Sequence, residues 1–76
     1  MTKSSEEIAA VFAKNDLSKE DIALLSSLLD DFMEYLQAYH DSGPESHQVA
    51  TLQAALRKRL DDTTQGVRNA FAELTK

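Results

Sequence analysis

Apolar residues along this chain recur at helical rather than strand spacing, and polar breaks divide them into segments. Ile8, Val11 and Phe12 share one face of a helix predicted over about residues 5–14. Ser4 or Ser5 can cap it, and Glu6 and Glu7 sit in the first turn, where the helix dipole favours acids. Asn15 and Asp16 then break it, because short polar side chains compete for the backbone's hydrogen bonds.

The stretch "LSKEDIALLSSLLDDFMEYL" follows. Ser18 and Asp21 have the spacing of a capping box, with Asp in place of the usual Glu or Gln, and Leu17 and Ile22 that of a hydrophobic staple. Two independent signals therefore start a helix at Ser18. At about 100° per residue, Ile22, Leu24, Leu25, Leu28, Leu29, Phe32, Met33, Tyr35, Leu36 and Tyr39 fall within one half-circle. A face roughly 180° wide exceeds the ~100° stripe that meets a single neighbour. Gly43 and Pro44 supply stop signals, so the helix is predicted over 18–40, with a bend near 29 left open.

In the last segment Val49, Leu52, Leu56, Leu60, Val67, Phe71 and Leu74 form a narrower stripe. "DDTTQG" interrupts it with weak helix formers and a glycine. The favoured reading is two helices, 45–61 and 62–75, the second of which Asp62 could cap with Gln65 at the third position; one long kinked helix is the alternative. The fold class is therefore all-α: one domain over 1–76, a small bundle or orthogonal array of three to five helices. The broad central face is expected to touch both the first helix and the C-terminal region.

Composition narrows this picture. Seventy-six residues lie near the lower size limit for a self-sufficient core, and the absence of cysteine rules out disulfide staples. No run approaches 18 apolar residues, and the start has no apolar h-region, so neither a membrane span nor a signal peptide is expected. The predicted location is cytoplasmic or peripheral to a membrane. Large apolar residues are also unevenly placed: fourteen lie between Thr2 and Asp41, and seven after it. Such a surplus in a small chain invites a cover. The candidate interaction face is Leu24, Leu25, Leu28, Phe32, Tyr35, Leu36 and Tyr39.

Charge is just as lopsided. Residues 1–41 hold three lysines against nine acids, and residues 42–76 five basic residues against four acids, for a net −5. An acidic chain repels phosphate backbones, which disfavours nucleic acid as a partner. Arg57, Lys58 and Arg59 are the one basic spot, with Asp61 and Asp62 beside them, and read as a solvated or salt-bridging helix face.

Chemistry has little to build on. His40, Asp41, Glu45 and His47 are legitimate metal ligands, but their spacing forms no compact motif on one helix face. The pairs Asp30–Asp31 and Asp61–Asp62 diverge by about 100° on a helix, so neither converges on one substrate atom. There is no Gly-x-Ser-x-Gly and no phosphate loop. No enzyme, cofactor or metal is expected. Size and acidity invite comparison with acyl carrier proteins, yet the only Asp-Ser, Asp41-Ser42, is followed by Gly43 and Pro44 instead of leucine.

The chain divides into "SSEEIAAVFAK", "SKEDIALLSSLL", "DDFMEYLQAYH", "PESHQVATLQAALRKRL" and "DDTTQGVRNAFAELTK". In this layout, its acidity and its lack of cysteine it resembles the PAS factor family, small Vibrio-type proteins linked to secretion. The resemblance implies a saposin-like leaf of helices acting at membranes. Helical phase runs unbroken from Ile22 to Tyr39, across the boundary between the second and third segments. The leading expectation is a non-enzymatic module that binds a protein partner, or itself as a homodimer, through its central helix. The alternative is a membrane-associated factor whose lipid binding strengthens at low pH, as carboxylates lose charge near pH 4 to 5.

Overall fold

The computed structural model describes residues 4–76, and these fold as four helices with no strand among them. Helix α1 spans Ser5–Lys14, α2 Lys19–Ser42, α3 His47–Asp61 and α4 Gln65–Leu74. The all-α class is as expected, and each boundary has a local cause.

Ser4 caps α1 by accepting from the Glu7 amide at 3.2 Å. At its other end Asp16 takes φ of 52°, the left-handed region, while the Asp16 amide donates to Ala13 and the Leu17 amide to Phe12. That pair of bonds is a Schellman stop, with aspartate where glycine is usual. The capping box on α2 is complete: Ser18 Oγ accepts from the Asp21 amide at 3.1 Å, and Asp21 Oδ2 accepts from the Ser18 amide at 3.4 Å. The helix runs continuously through Leu29 and Asp30 and ends at Ser42, two residues past the expected point. Gly43, at φ 82°, is the stop, and its amide donates to the Tyr39 carbonyl.

One expectation is corrected. Asp62 does not cap the last helix; it closes α3, its amide donating to the carbonyls of Lys58 and Arg59. Thr64 is the cap of α4, accepting from the Val67 amide. The break expected in "DDTTQG" therefore lies at Asp62–Thr64, and Gly66 sits inside the new helix. A Cβ at Gly66 would stand 3.0 Å from the Asn15 carbonyl oxygen and 3.3 Å from Leu17 Cδ2. This glycine gives clearance where the first turn of α4 meets the α1–α2 connection.

The core gathers Leu25 and Leu28 of α2, Leu56 of α3, and Val67, Ala70 and Phe71 of α4. Val11 and Phe12 of α1 pack at its edge, and no residue of α1 is fully buried. The broad face of α2 does meet two neighbours, but they are α3 and α4; α1 rests mainly on α4, where Lys14 Nζ lies 2.7 Å from Glu73 Oε1. After the short Gly43–Ser46 connection α3 returns antiparallel to α2, fastened by Arg59 to Asp31 and, at 3.0 Å, to Ser27 Oγ.

Candidate interaction surface

The lengths of the helices decide where apolar surface stays open. At about 1.5 Å per residue, the 24 residues of α2 make a helix comparable in length with the molecule's 37 Å longest extent. Helix α4 has 10 residues, less than half that reach. It covers the near half of α2, where Leu25 and Leu28 are completely buried, and the core's contacts along α2 end at Phe32. Beyond Phe32, α3 continues alongside, with Ala38 and Val49 buried, but the sector that faced α4 is left open.

The seven residues of the expected face therefore separate. Leu25 and Leu28 are core and reach no partner while the fold is intact. Leu24, Phe32 and Tyr35 are half-buried. Leu36 and Tyr39 are 41% and 44% exposed, and Met33, which sequence reasoning placed on the apolar half-circle but left out of the face, is the most open at 64%. Its position at the margin of that half-circle was the available signal.

Aromatic rings form a chain from the core to this open end. Phe71 and Phe32 meet edge to face at 5.7 Å between centroids, Phe32 and Tyr35 stack at 6.2 Å, and Tyr35 and Tyr39 meet at 6.1 Å. Offset and edge-on pairs of this kind hold one another's orientation. Beside them lies an open groove of about 390 Å³ between α2 and α3, with Phe71 of α4 also on its wall. Phe32, Tyr35, Leu56 and Leu60 line it, with Gln53, Arg57 and Asp61 on the α3 side. A larger hollow, lined by Ala50, Ala54, Arg57 and Lys58 among others, is drawn from α3 alone and is a helix flank rather than a cleft.

The back of α2, turned away from the groove and from Phe32, Leu36 and Tyr39, is acidic. On α2, Asp30, Glu34 and Asp41 follow the outer side of Met33 and are exposed. Asp41 accepts from Gln37 at 3.0 Å and lies 3.3 Å from His40 Nδ1; those two hydrogen bonds hold its carboxyl below the usual carboxylate range. Asp30 and Glu34 make no ion pair among the described residues, where Lys14 pairs with Glu73 and Arg59 with Asp31. The basic spot is also divided: Arg59 turns to Asp31 and Ser27, while Arg57 and Lys58 stay exposed.

Among the described residues no group of three or more His, Cys, Asp or Glu side chains is arranged to hold an ion, and no helix is long and apolar enough to cross a membrane. The chain matches no family model, no curated protein and no solved structure. The structure itself defines a small all-α bundle with one end of its longest helix uncovered.

Proposed function

We propose that this chain is a non-enzymatic interaction module that binds a protein partner, or a second copy, through the far half of α2. One observation carries the reading: Leu36 and Tyr39 stand exposed in line with a sector that is core in the near half of the same helix, with Met33 exposed at its margin. Covering large apolar side chains is favourable at roughly 25 cal/mol per Å², and the linked rings below present them on a stiff base. The groove wall is mostly phenyl, phenol and leucine surface, with Gln53, Arg57 and Asp61 on the α3 side, which suits docking. The test is solution mass by light scattering over a concentration series, with affinity capture on the immobilised chain, for the wild type and Leu36→Glu. The expected result is an associated species lost in the variant, while circular dichroism shows its helices intact. Association unchanged by Leu36→Glu would move the interface elsewhere.

A second reading, a saposin-like factor peripheral to a membrane, draws on the same exposed strip. Its acidic back repels anionic lipid at neutral pH, and interfacial helices usually carry Lys and Arg there instead. On this reading anionic liposomes co-sediment the chain at about pH 4.5 and not at pH 7, following carboxylate protonation. Absence at both ends it.

A further inference from the structure

We infer that the occupant of the open lane on α2 is the same lane on a second copy of this chain, the two α2 helices lying antiparallel about a two-fold axis beside Leu36. This rests on the docking surface proposed above and goes further by naming what docks. The lane is the sector of Phe32, Leu36 and Tyr39, from the point where the cover of α4 ends to the end of α2 at Ser42. It is one helix wide and roughly 16 Å long, three helical turns.

Charge favours a second copy. The chain carries −5, yet Asp30, Glu34 and Asp41 stand on the back of α2, roughly opposite the lane at about 100° per residue. The open margin of the lane holds Met33, Gln37 and His40, with no carboxylate and no Lys or Arg. On the α3 lip, Arg57 and Asp61 carry opposite charges that cancel. The approach surface therefore has no net charge, and two acidic chains can meet there without setting like charges face to face. A strongly charged partner finds no rim to steer or select it.

Packing sets the orientation. Among the described residues the large exposed apolar side chains are Met33, Leu36 and Tyr39, all in this stretch, so it is the apolar surface a second copy has to offer. A parallel pair would drive the two α4 helices into each other, because α4 fills the same sector over Leu25 and Leu28. An antiparallel pair keeps them at opposite ends, and each far half fills the place that α4 leaves empty on the other. The contact is isologous, with Phe32 against the partner's Tyr39 and Leu36 against the partner's Tyr35. A lane of this size falls short of the roughly 800 Å² per partner of a standard interface, so the dimer is weak and concentration-dependent.

Light scattering on the wild type up to about 1 mM is expected to rise towards twice the chain mass, and Leu36→Glu to weaken association at least tenfold. The chain has no cysteine, so single-cysteine variants report contacts directly. Under copper-catalysed air oxidation Leu36→Cys is expected to form a linked dimer at least tenfold faster than Glu34→Cys on the back, since a disulfide needs Cα atoms within about 7 Å. A mixture of Met33→Cys and His40→Cys should link faster than either variant alone, as antiparallel order requires. Circular dichroism checks that each variant keeps its helices.

A wild type that stays monomeric throughout overturns the second copy. If that monomer still holds a different protein, or anionic vesicles, in a way lost on Leu36→Glu, the docking surface stands with another occupant. A dimer indifferent to Leu36→Glu overturns the lane itself. Equal linking of Leu36→Cys and Glu34→Cys does the same, and faster self-linking of Met33→Cys than of the mixture overturns the antiparallel pair.

Discussion

Leu25 and Leu36 project from α2 in nearly the same direction, eleven residues and about 20° apart, yet Leu25 is completely buried and Leu36 is 41% exposed. The difference is what lies opposite. Val67, Ala70 and Phe71 of α4 close over Leu25, and α4 is too short to extend the same cover to Leu36. Truncation should separate them. Leu25→Ala leaves a cavity in a packed site and should cost about 2–5 kcal/mol, enough to threaten a chain of this size. Leu36→Ala should cost under about 1 kcal/mol. Urea denaturation of the two variants reads both, and equal losses would mean the far half of α2 is packed in solution.

Gly66 offers a test in which local propensity and packing oppose each other. Inside an exposed helix, glycine to alanine gains up to about 1 kcal/mol. At Gly66 the added methyl would press on the Asn15 carbonyl oxygen at 3.0 Å and on Leu17 Cδ2 at 3.3 Å. A backbone oxygen yields less readily than a side-chain end, so Gly66→Ala should be net destabilising, by roughly 1 kcal/mol. A raised thermal midpoint would show that the α1–α2 connection moves aside freely.

Asp16 offers the converse. It occupies the left-handed position of the stop after α1, at φ 52°, a conformation that costs an L-residue more than glycine. Asp16→Gly keeps the backbone bonds of the stop and should raise stability by about 0.5–1 kcal/mol. The gain should appear in thermal melts, with helix content unchanged.

These positions show what the sequence made legible. Caps were readable because they are local: Ser18 with Asp21, Ser4, and Gly43 before Pro44 each act within a few residues. In "DDTTQG" both Asp62 and Thr64 have cap chemistry; only the backbone path closes α3 at Asp62 and gives the cap of α4 to Thr64. The apolar half-circle of α2 was legible as a face but not as two halves. Dividing it requires knowing that α4 crosses at Leu25 and Leu28 and gives out past Phe32, a tertiary fact with no signal on α2 itself. The acidic back of α2 was visible as charge; that Asp31 is spent on Arg59 while Asp30 is not depends on where α3 lies.

The bridge from Arg59 to Asp31 and Ser27 should fix how α3 lies on α2 more than it stabilises the fold. Both charged side chains are roughly two-fifths exposed, and pairs of that kind contribute about 0–1 kcal/mol. A double-mutant cycle with Arg59→Met and Asp31→Asn should return a coupling of about 0.5 kcal/mol. If the coupling exceeds about 2 kcal/mol, the bridge is a principal tie between the helices.

The Lys14–Glu73 contact carries a pH dependence whose sign follows from its chemistry. A hydrogen bond from Lys14 favours ionised Glu73 and holds its carboxyl below the usual carboxylate range. A carboxylate with a lowered folded value adds stability above its unfolded value, and that stability is lost as pH falls through the folded one. Wild-type stability should therefore decline on the acid side of about pH 4.5, with part of the loss traceable to this contact. Lys14→Met should return the Glu73 titration, followed by NMR, towards the ordinary value and flatten that part of the acid limb. Stability above the acid range should fall only slightly, because Lys14 is largely exposed. A Glu73 titration unmoved by Lys14→Met would show that α1 is not held on α4 by this contact and rests there through Val11 and Phe12 alone.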